Sequence, residues 1–195
     1  MRSAQIKRVT NETHIDLKIN LDGKGDVNLE IPLAFLTHML TLTARHGFFD
    51  LEIEARGDVD VDFHHLVEDI GITLGQAVNQ ALGDKKGINR YGSVIVPMDE
   101  ALVTVVMDLC SRPCLVLQGE LPSGMIGDFT PELMEEFFRA FTNNCGATLH
   151  VIIHYGRNLH HIVEAVFKAF GRALDQATQI DERIGDTILS TKGIL

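Results

Sequence analysis

The segments HHLVEDIGITLGQAV (His64–Val78) and HHIVEAVFKAFGRAL (His160–Leu174) align without a gap at an offset of 96 residues, about half of the chain. Self-similarity at one fixed offset marks a duplicated unit. Both copies open on His-His-x-x-Glu and continue with the apolar spacing of a helix. Side chains at i and i+4 share a helix face. His64 and Glu68 therefore converge, as do His160 and Glu164. Neighbours along a helix point about 100° apart, so His65 and His161 face elsewhere. Two adjacent histidines per motif suggest two metal ions. If the halves meet across a pseudo-twofold, His65 completes the ion held by His160 and Glu164, and His161 the ion held by His64 and Glu68. Imidazole and carboxylate ligands without thiolate suit Mn, Fe, Co or Zn. Spacing alone does not choose among them.

The repeat extends outward from these helices. Glu12–Gly23 (ETHIDLKINLDG) alternates apolar and polar residues, placing Ile15, Leu17, Ile19 and Leu21 on one face of a predicted strand. Asp99–Leu109 (DEALVTVVMDL) reads the same way, with Glu100 at the place of Glu12. A helix follows in each half. LAFLTHMLTLTARHG is closed by Gly47. TPELMEEFFRAFTNNCG has Thr130 as N-cap, Pro131 at its first position and Gly146 beyond its end. His38 in the first helix and Glu136 in the second hold matching positions and offer further ligands. The stretches FFDLEIEARGDVDVDF and ATLHVIIHYG are predicted strands leading into the HHxxE helices. The seam falls near GINRYG, giving halves 1–92 and 93–195 that pack together as one unit. Mixed strands and helices joined by short loops indicate an α+β fold.

Composition limits the function. The chain has 195 residues, 45% hydrophobic and 23% charged, enough for a sizeable core. A net charge of −10 argues against a general nucleic-acid binder. The N-terminal MRSAQIKRVTNETHIDL lacks the apolar stretch of a signal peptide, and no run approaches the ~20 apolar residues that span a bilayer. Cys110, Cys114 and Cys145 form no CxxC pair and are read as ordinary buried thiols of a reduced, cytoplasmic protein. Trp is absent, so stacking on a ligand falls to Phe, Tyr or His.

From KRVTNETHIDLKINLDGKG through FLTHMLTLTARHGFFDL, GDVDVDFHHLVED, INRYGS, PMDEAL and YGRNLHHIVEAVFKAFGRAL to the terminal STKGIL, the chain resembles the imidazoleglycerol-phosphate dehydratase family of histidine biosynthesis. The resemblance implies a duplicated α+β unit similar to the second domain of ribosomal protein S5, each half a four-stranded sheet with two helices on one face. It implies trimers that assemble into 24-subunit cages, with two Mn²⁺ ions per subunit held between chains. Carried over residue by residue, one ion takes His38, His65, His160 and Glu164. The other takes His64, Glu68, Glu136 and His161. The implied reaction dehydrates D-erythro-imidazole-glycerol phosphate to imidazole acetol phosphate, through a metal-bound imidazolate and a diazafulvene-like intermediate.

The resemblance also assigns roles around the substrate. Glu12 matches a substrate-contacting glutamate and is read as a proton-transfer residue, with Glu164 both ligand and proton carrier. His46 matches a substrate-contacting histidine; Asp99 orients neighbouring groups without a direct role. Arg90 and Arg112 match the phosphate-region arginines, whose guanidinium forks bind two oxygens at once. Ser190, Thr191 and Lys192 match the closing phosphate contacts, so the tail is expected to order over the substrate. Three positions depart from the family pattern. Thr37 and Phe63 stand where Asp is common beside the ligand histidines, which puts outer-shell orientation in question. Glu136 stands where many members carry His. Two other functions fit the bare ligand pattern: a different two-metal lyase or phosphatase, and a metal-storage or metal-assembled cage. Against the first, no residue stands out as a nucleophile and every ligand follows the dehydratase pattern; against the cage stand Glu12, Arg90, Arg112 and the tail, which assembly alone does not require.

Overall fold

The computed structural model describes all residues, 1–195. The first half contains β1 (Ser3–Val9), β2 (Thr13–Asn20), β3 (Val27–Glu30), α1 (Ala34–Gly47), β4 (Asp50–Gly57) and α2 (His64–Leu82). The second contains β5 (Tyr91–Met98), β6 (Ala101–Asp108), β7 (Cys114–Gln118), α3 (Pro131–Cys145), β8 (Thr148–Tyr155) and α4 (Leu159–Thr178). The sheets have orders β1-β2-β4-β3 and β5-β6-β8-β7. In each, the first hairpin is antiparallel and the short edge strand lies parallel to the last strand. The α+β duplication expected from the repeat is the observed architecture. The seam differs slightly: β5 already begins at Tyr91, so the junction between the sheets lies ahead of the expected 92/93 break.

Alternation along β2 and β6 buries Ile15, Leu17 and Ile19, and Val103, Val105 and Met107. These faces receive α2 and α4, while α1 and α3 pair with the helix of the opposite half, α4 and α2 respectively. The helices thus lie between two outer sheets, and one apolar cluster runs through both halves. Close approach is made by glycines at equivalent positions. A Cβ on Gly75 would meet the Phe141 carbonyl oxygen, and one on Gly171 that of Thr43.

Helix ends refine the sequence reading. Gly47 is the last residue of α1; the left-handed cap is Phe48, with φ 56°. Gly47 is required for space, since a Cβ there would collide with the Phe49 ring. Thr130 and Gly146 flank α3 as expected, although the Thr130 side chain makes no capping hydrogen bond. Of the three cysteines, Cys110 and Cys145 are buried, but Cys114 at the start of edge strand β7 is exposed, contrary to expectation. Burial pushes the Cys145 thiol up to about 12.

Candidate metal and substrate site

Helix α4 starts cleanly because the Asn158 side chain accepts from the His160 backbone N–H at 2.9 Å. One turn on, Glu164 is almost fully buried. Its Oε2 lies 3.1 Å from His160 Nε2 and 3.5 Å from His38 Nε2 on α1. The α1–α4 pairing therefore gathers two imidazoles and a carboxylate around one point. Glu164 Oε1 is held by Lys168 Nζ at 2.5 Å. Burial raises the Glu164 pKa, but Lys168's hydrogen bond and charge, joined by His160, outweigh it and hold the carboxyl below its usual value.

A second cluster forms where β2, the loop after β4 and α2 meet. His65 Nδ1 stands 2.9 Å from Asp58 Oδ2 and 3.9 Å from Glu12 Oε2. The hydrogen bond to Asp58 raises the His65 pKa. The repeat supplies a counterpart: His161 Nδ1 lies 2.7 Å from Glu100 Oε2, and Glu100 also accepts from the Arg157 and Asn158 N–H groups. Its pKa falls to about 2, first through His161 and then through those amides. Both carboxylates engage Nδ1, as partners that orient metal-binding histidines do; His161 Nε2 lies 3.4 Å from the Asn158 side-chain amide. Phe63 itself supplies no cap to α2. Asp62 accepts from the His64 N–H at 2.8 Å, just as Asn158 does for α4. Thr37 instead bonds the Leu33 carbonyl within α1.

The predicted ligand sets are only partly assembled in one chain. His38, His160 and Glu164 come together, whereas their fourth expected partner, His65, belongs to the Glu12–Asp58 cluster. His64, Glu68, Glu136 and His161 are not gathered: His64 packs edge-on to His65, Glu136 has only Arg139 at 3.9 Å, and His161 is engaged by Glu100. An intrachain pseudo-twofold that lets α2 and α4 share ions is therefore not what the chain forms. Each HHxxE helix pairs instead with the first helix of the other half. The two expected proton carriers, Glu12 and Glu164, likewise fall in separate clusters.

At the other end of α4, Arg90 has a left-handed backbone, with φ 69°. Its guanidinium meets Asp108 at 2.7 and 3.0 Å and donates to the Leu189 carbonyl at 2.8 Å. Ser190 and Thr191 line the same cavity as Arg90. Arg112 is exposed, 3.9 Å from Asp108. The tail is tied down independently, as Gly87 donates to Thr187 and accepts from Asp181. Lys192 N–H donates to Ser190 Oγ. His46, near the end of α1, has its pKa lowered by burial and by the charges of Lys168 and Arg172. Asp58, Glu100, Asp108 and Lys168 are the functional neighbours the sequence reading did not assign.

The duplicated α+β architecture is shared with solved enzymes. The chain is 40% identical to imidazoleglycerol-phosphate dehydratase from Staphylococcus aureus, with TM-score 0.83 over 92% of this chain and 99% of that one. It is 38% identical to the Pyrococcus furiosus structure, with TM-score 0.84 over 97% of this chain and 100% of that one. The profile of the family described as imidazoleglycerol-phosphate dehydratase matches residues 32–174. Relatives of that name from Citrifermentans bemidjiense and Geobacter sulfurreducens are 59% and 57% identical, each covering 100% of this chain and 99% of the relative. The chain belongs to the imidazoleglycerol-phosphate dehydratase family, a family of hydro-lyases.

Proposed function

We propose that the protein dehydrates D-erythro-imidazole-glycerol phosphate to imidazole acetol phosphate, the hydro-lyase step of its family in histidine biosynthesis. The observation that carries this reading is the convergence of His38, His160 and Glu164 in a chain that belongs to the family. The donor set fits a divalent transition metal: two imidazole Nε2 atoms, one buried carboxylate and no thiolate. We assign one Mn²⁺ to His38, His160, Glu164 and His65, and a second to His64, Glu68, Glu136 and His161. Such ions supply Lewis acidity and a template for the substrate ring.

The carbon proton to be removed has no carbonyl beside it, so the substrate's own imidazole must take up the electrons. A ring that has lost its N–H proton can expel the hydroxyl, which leaves as water on protonation, giving a diazafulvene-like intermediate; loss of the carbon proton then restores aromaticity and leaves an enol, which tautomerises to the ketone. The chain must move these protons. Glu12 is suited to this, being half exposed at the head of β2 beside His65. Glu164 is the second carrier, kept ionised by Lys168. His46, with its lowered pKa, offers the substrate a neutral imidazole near pH 7. Arg90, Arg112, Ser190, Thr191 and Lys192 form the phosphate end. Asp108 holds the Arg90 fork and shares its charge, so the phosphate binds a preoriented guanidinium.

The separation of His65 from His160 supports sites completed by a neighbouring chain, and so the trimers and 24-subunit cage that the family resemblance implies. The outer face of the second sheet supports self-association too, since it presents Ile95, Leu102, Val106, Val116 and Ile152. Three unpaired cysteines suit a reducing, cytoplasmic setting. The test is product formation by protein stripped of metal and reloaded with Mn²⁺. Imidazole acetol phosphate released only after reloading is expected. Absence of product with two ions bound per chain would move the phosphatase and cage readings ahead.

A further inference from the structure

Asp69 follows the last residue of the first HHxxE motif and takes no part in the ligand sets, yet it is 6% exposed. A buried carboxylate is costly unless it is paired and hydrogen-bonded. Asp69 Oδ1 lies 2.8 Å from Arg8 Nε of β1, whose N–H does not aim along the contact, so charge dominates that pairing. Asp69 Oδ2 accepts from the Thr13 hydroxyl. Thr13 closes the β1–β2 turn, and Glu12 is that turn's last residue. Thr10 Oγ1 accepts from the backbone N–H groups of Glu12 at 3.1 Å and Thr13 at 2.9 Å, and contacts Thr13 Oγ1 at 3.2 Å. The Thr10 N–H donates to the Thr13 carbonyl, and the Glu12 carbonyl accepts from the Asp58 N–H. Both peptide groups flanking the Glu12 side chain are therefore pinned, and the pin is anchored in α2.

The second half shows what the fold requires at this place. Thr13 and Leu66 pack against Gly57; Ala101 and Ile162 pack against Gly156 in the same arrangement. Thr13 thus corresponds to Ala101, and Asp69, three residues after Leu66, to Ala165. Arg8 pairs across the hairpin with Ile15 and Val96 with Val103, which makes Val96 the counterpart of Arg8. The set Arg8–Thr13–Asp69 is replaced by Val96–Ala101–Ala165, with Ala101 and Ala165 in the core and Val96 packed against it. The same strand–helix contact is built from apolar residues alone, so the polar set is dispensable for the architecture. It occurs in the half whose glutamate, Glu12, is free to act. In the other half Glu100 is fixed through its own carboxylate, by His161 and two backbone amides.

We propose that Asp69, acting through Thr13 with Arg8 as counter-charge, is a positioning residue for Glu12, locking the β1–β2 turn to the helix that carries His64, His65 and Glu68. One helix then sets both the imidazole and the proton-transfer carboxylate, which fixes their separation. This rests on the proposed role of Glu12.

The test is to give the first half the residues of the second: Arg8→Val, Thr13→Ala and Asp69→Ala together, in the full Mn²⁺-loaded protein. The swapped protein is expected to fold and to retain its metal content and its KM for imidazole-glycerol phosphate. Its kcat is expected to fall roughly ten- to a hundredfold, the scale of an ångström-sized misplacement of a reacting group. Amide hydrogen exchange in residues 10–13 should rise, independently of any turnover. In a Glu12→Gln background the swap should lower kcat no further, and Thr13→Ser should keep near-normal activity where Thr13→Val does not. Undiminished kcat, a loss that multiplies with that of Glu12→Gln, or failure of the swapped protein to fold would each overturn the proposal. Full activity of Glu12→Gln alone, with exchange still raised by the swap, would instead place the error in the role given to Glu12.

Discussion

Glu164 sits at the balance point of the candidate site. Burial works against its charge, and Lys168 restores it at 2.5 Å. A metal ion would supply the same compensation from the other side. Replacing Lys168 by Met should therefore destabilise the metal-free protein by roughly 1–3 kcal/mol, the cost of leaving a buried charged group without its partner. The stabilisation on adding Mn²⁺ should be correspondingly larger, and thermal unfolding with and without metal checks both. His46 gives a pH signature. Its folded pKa lies below 6.5, because burial and the Lys168 and Arg172 charges disfavour the imidazolium. The unfolded chain then binds more protons between the folded pKa and 6.5, so in that window stability rises with pH and falls on acidification. His46→Gln should flatten that segment of the stability–pH curve. The i, i+4 rule made the His160–Glu164 contact legible from sequence, and the same rule one turn further reaches Lys168. Asp58 and Glu100 were not assigned, because loop conformation and a contact across 61 residues, respectively, bring them to His65 and His161.

The elements themselves were largely written in their periodicity. Alternation marked β2 and β6, and the aligned HHxxE segments marked α2 and α4. The edge strands β3 and β7 are only four and five residues long and half-buried, too short for a clear pattern. Gly47 does end α1, but for a steric reason: the left-handed cap is Phe48, and Gly47 is needed for the tight contact with Phe49. The crossing of helices between halves follows a rule the sequence also carries, since Gly75 and Gly171 occupy the same position in the two copies. Gly75→Ala and Gly171→Ala each press a methyl group into a carbonyl of the opposing helix. Each is expected to cost about 1–3 kcal/mol, as overpacking does, read as a lower denaturation midpoint at unchanged m-value.

At the scale of the whole molecule, the two sheets present different faces. The outer surface of the first carries Lys7, Asp16, Lys18, Glu52, Glu54 and Arg56, several of them paired with one another. That of the second is rich in aliphatic residues, with Ile95 64% exposed. Replacing Ile95 by Asp should weaken self-association and leave the fold of the single chain intact; sedimentation and circular dichroism separate the two effects. How the chains meet was not legible in the internal repeat. Duplication suggested that α2 and α4 share ions within one chain, but the packing of each on the other half's first helix keeps His65 with Glu12 and Asp58, away from His160. The completed site is therefore proposed to lie between chains, and one measurement tests this most directly. His65→Ala and Glu164→Ala proteins, each expected to be inactive alone, are mixed under conditions that exchange subunits, and formation of imidazole acetol phosphate is followed. Part of the wild-type activity should return, because some interfaces then join an intact His65 to an intact Glu164. A mixture that exchanges subunits yet stays inactive would contradict a site shared between chains.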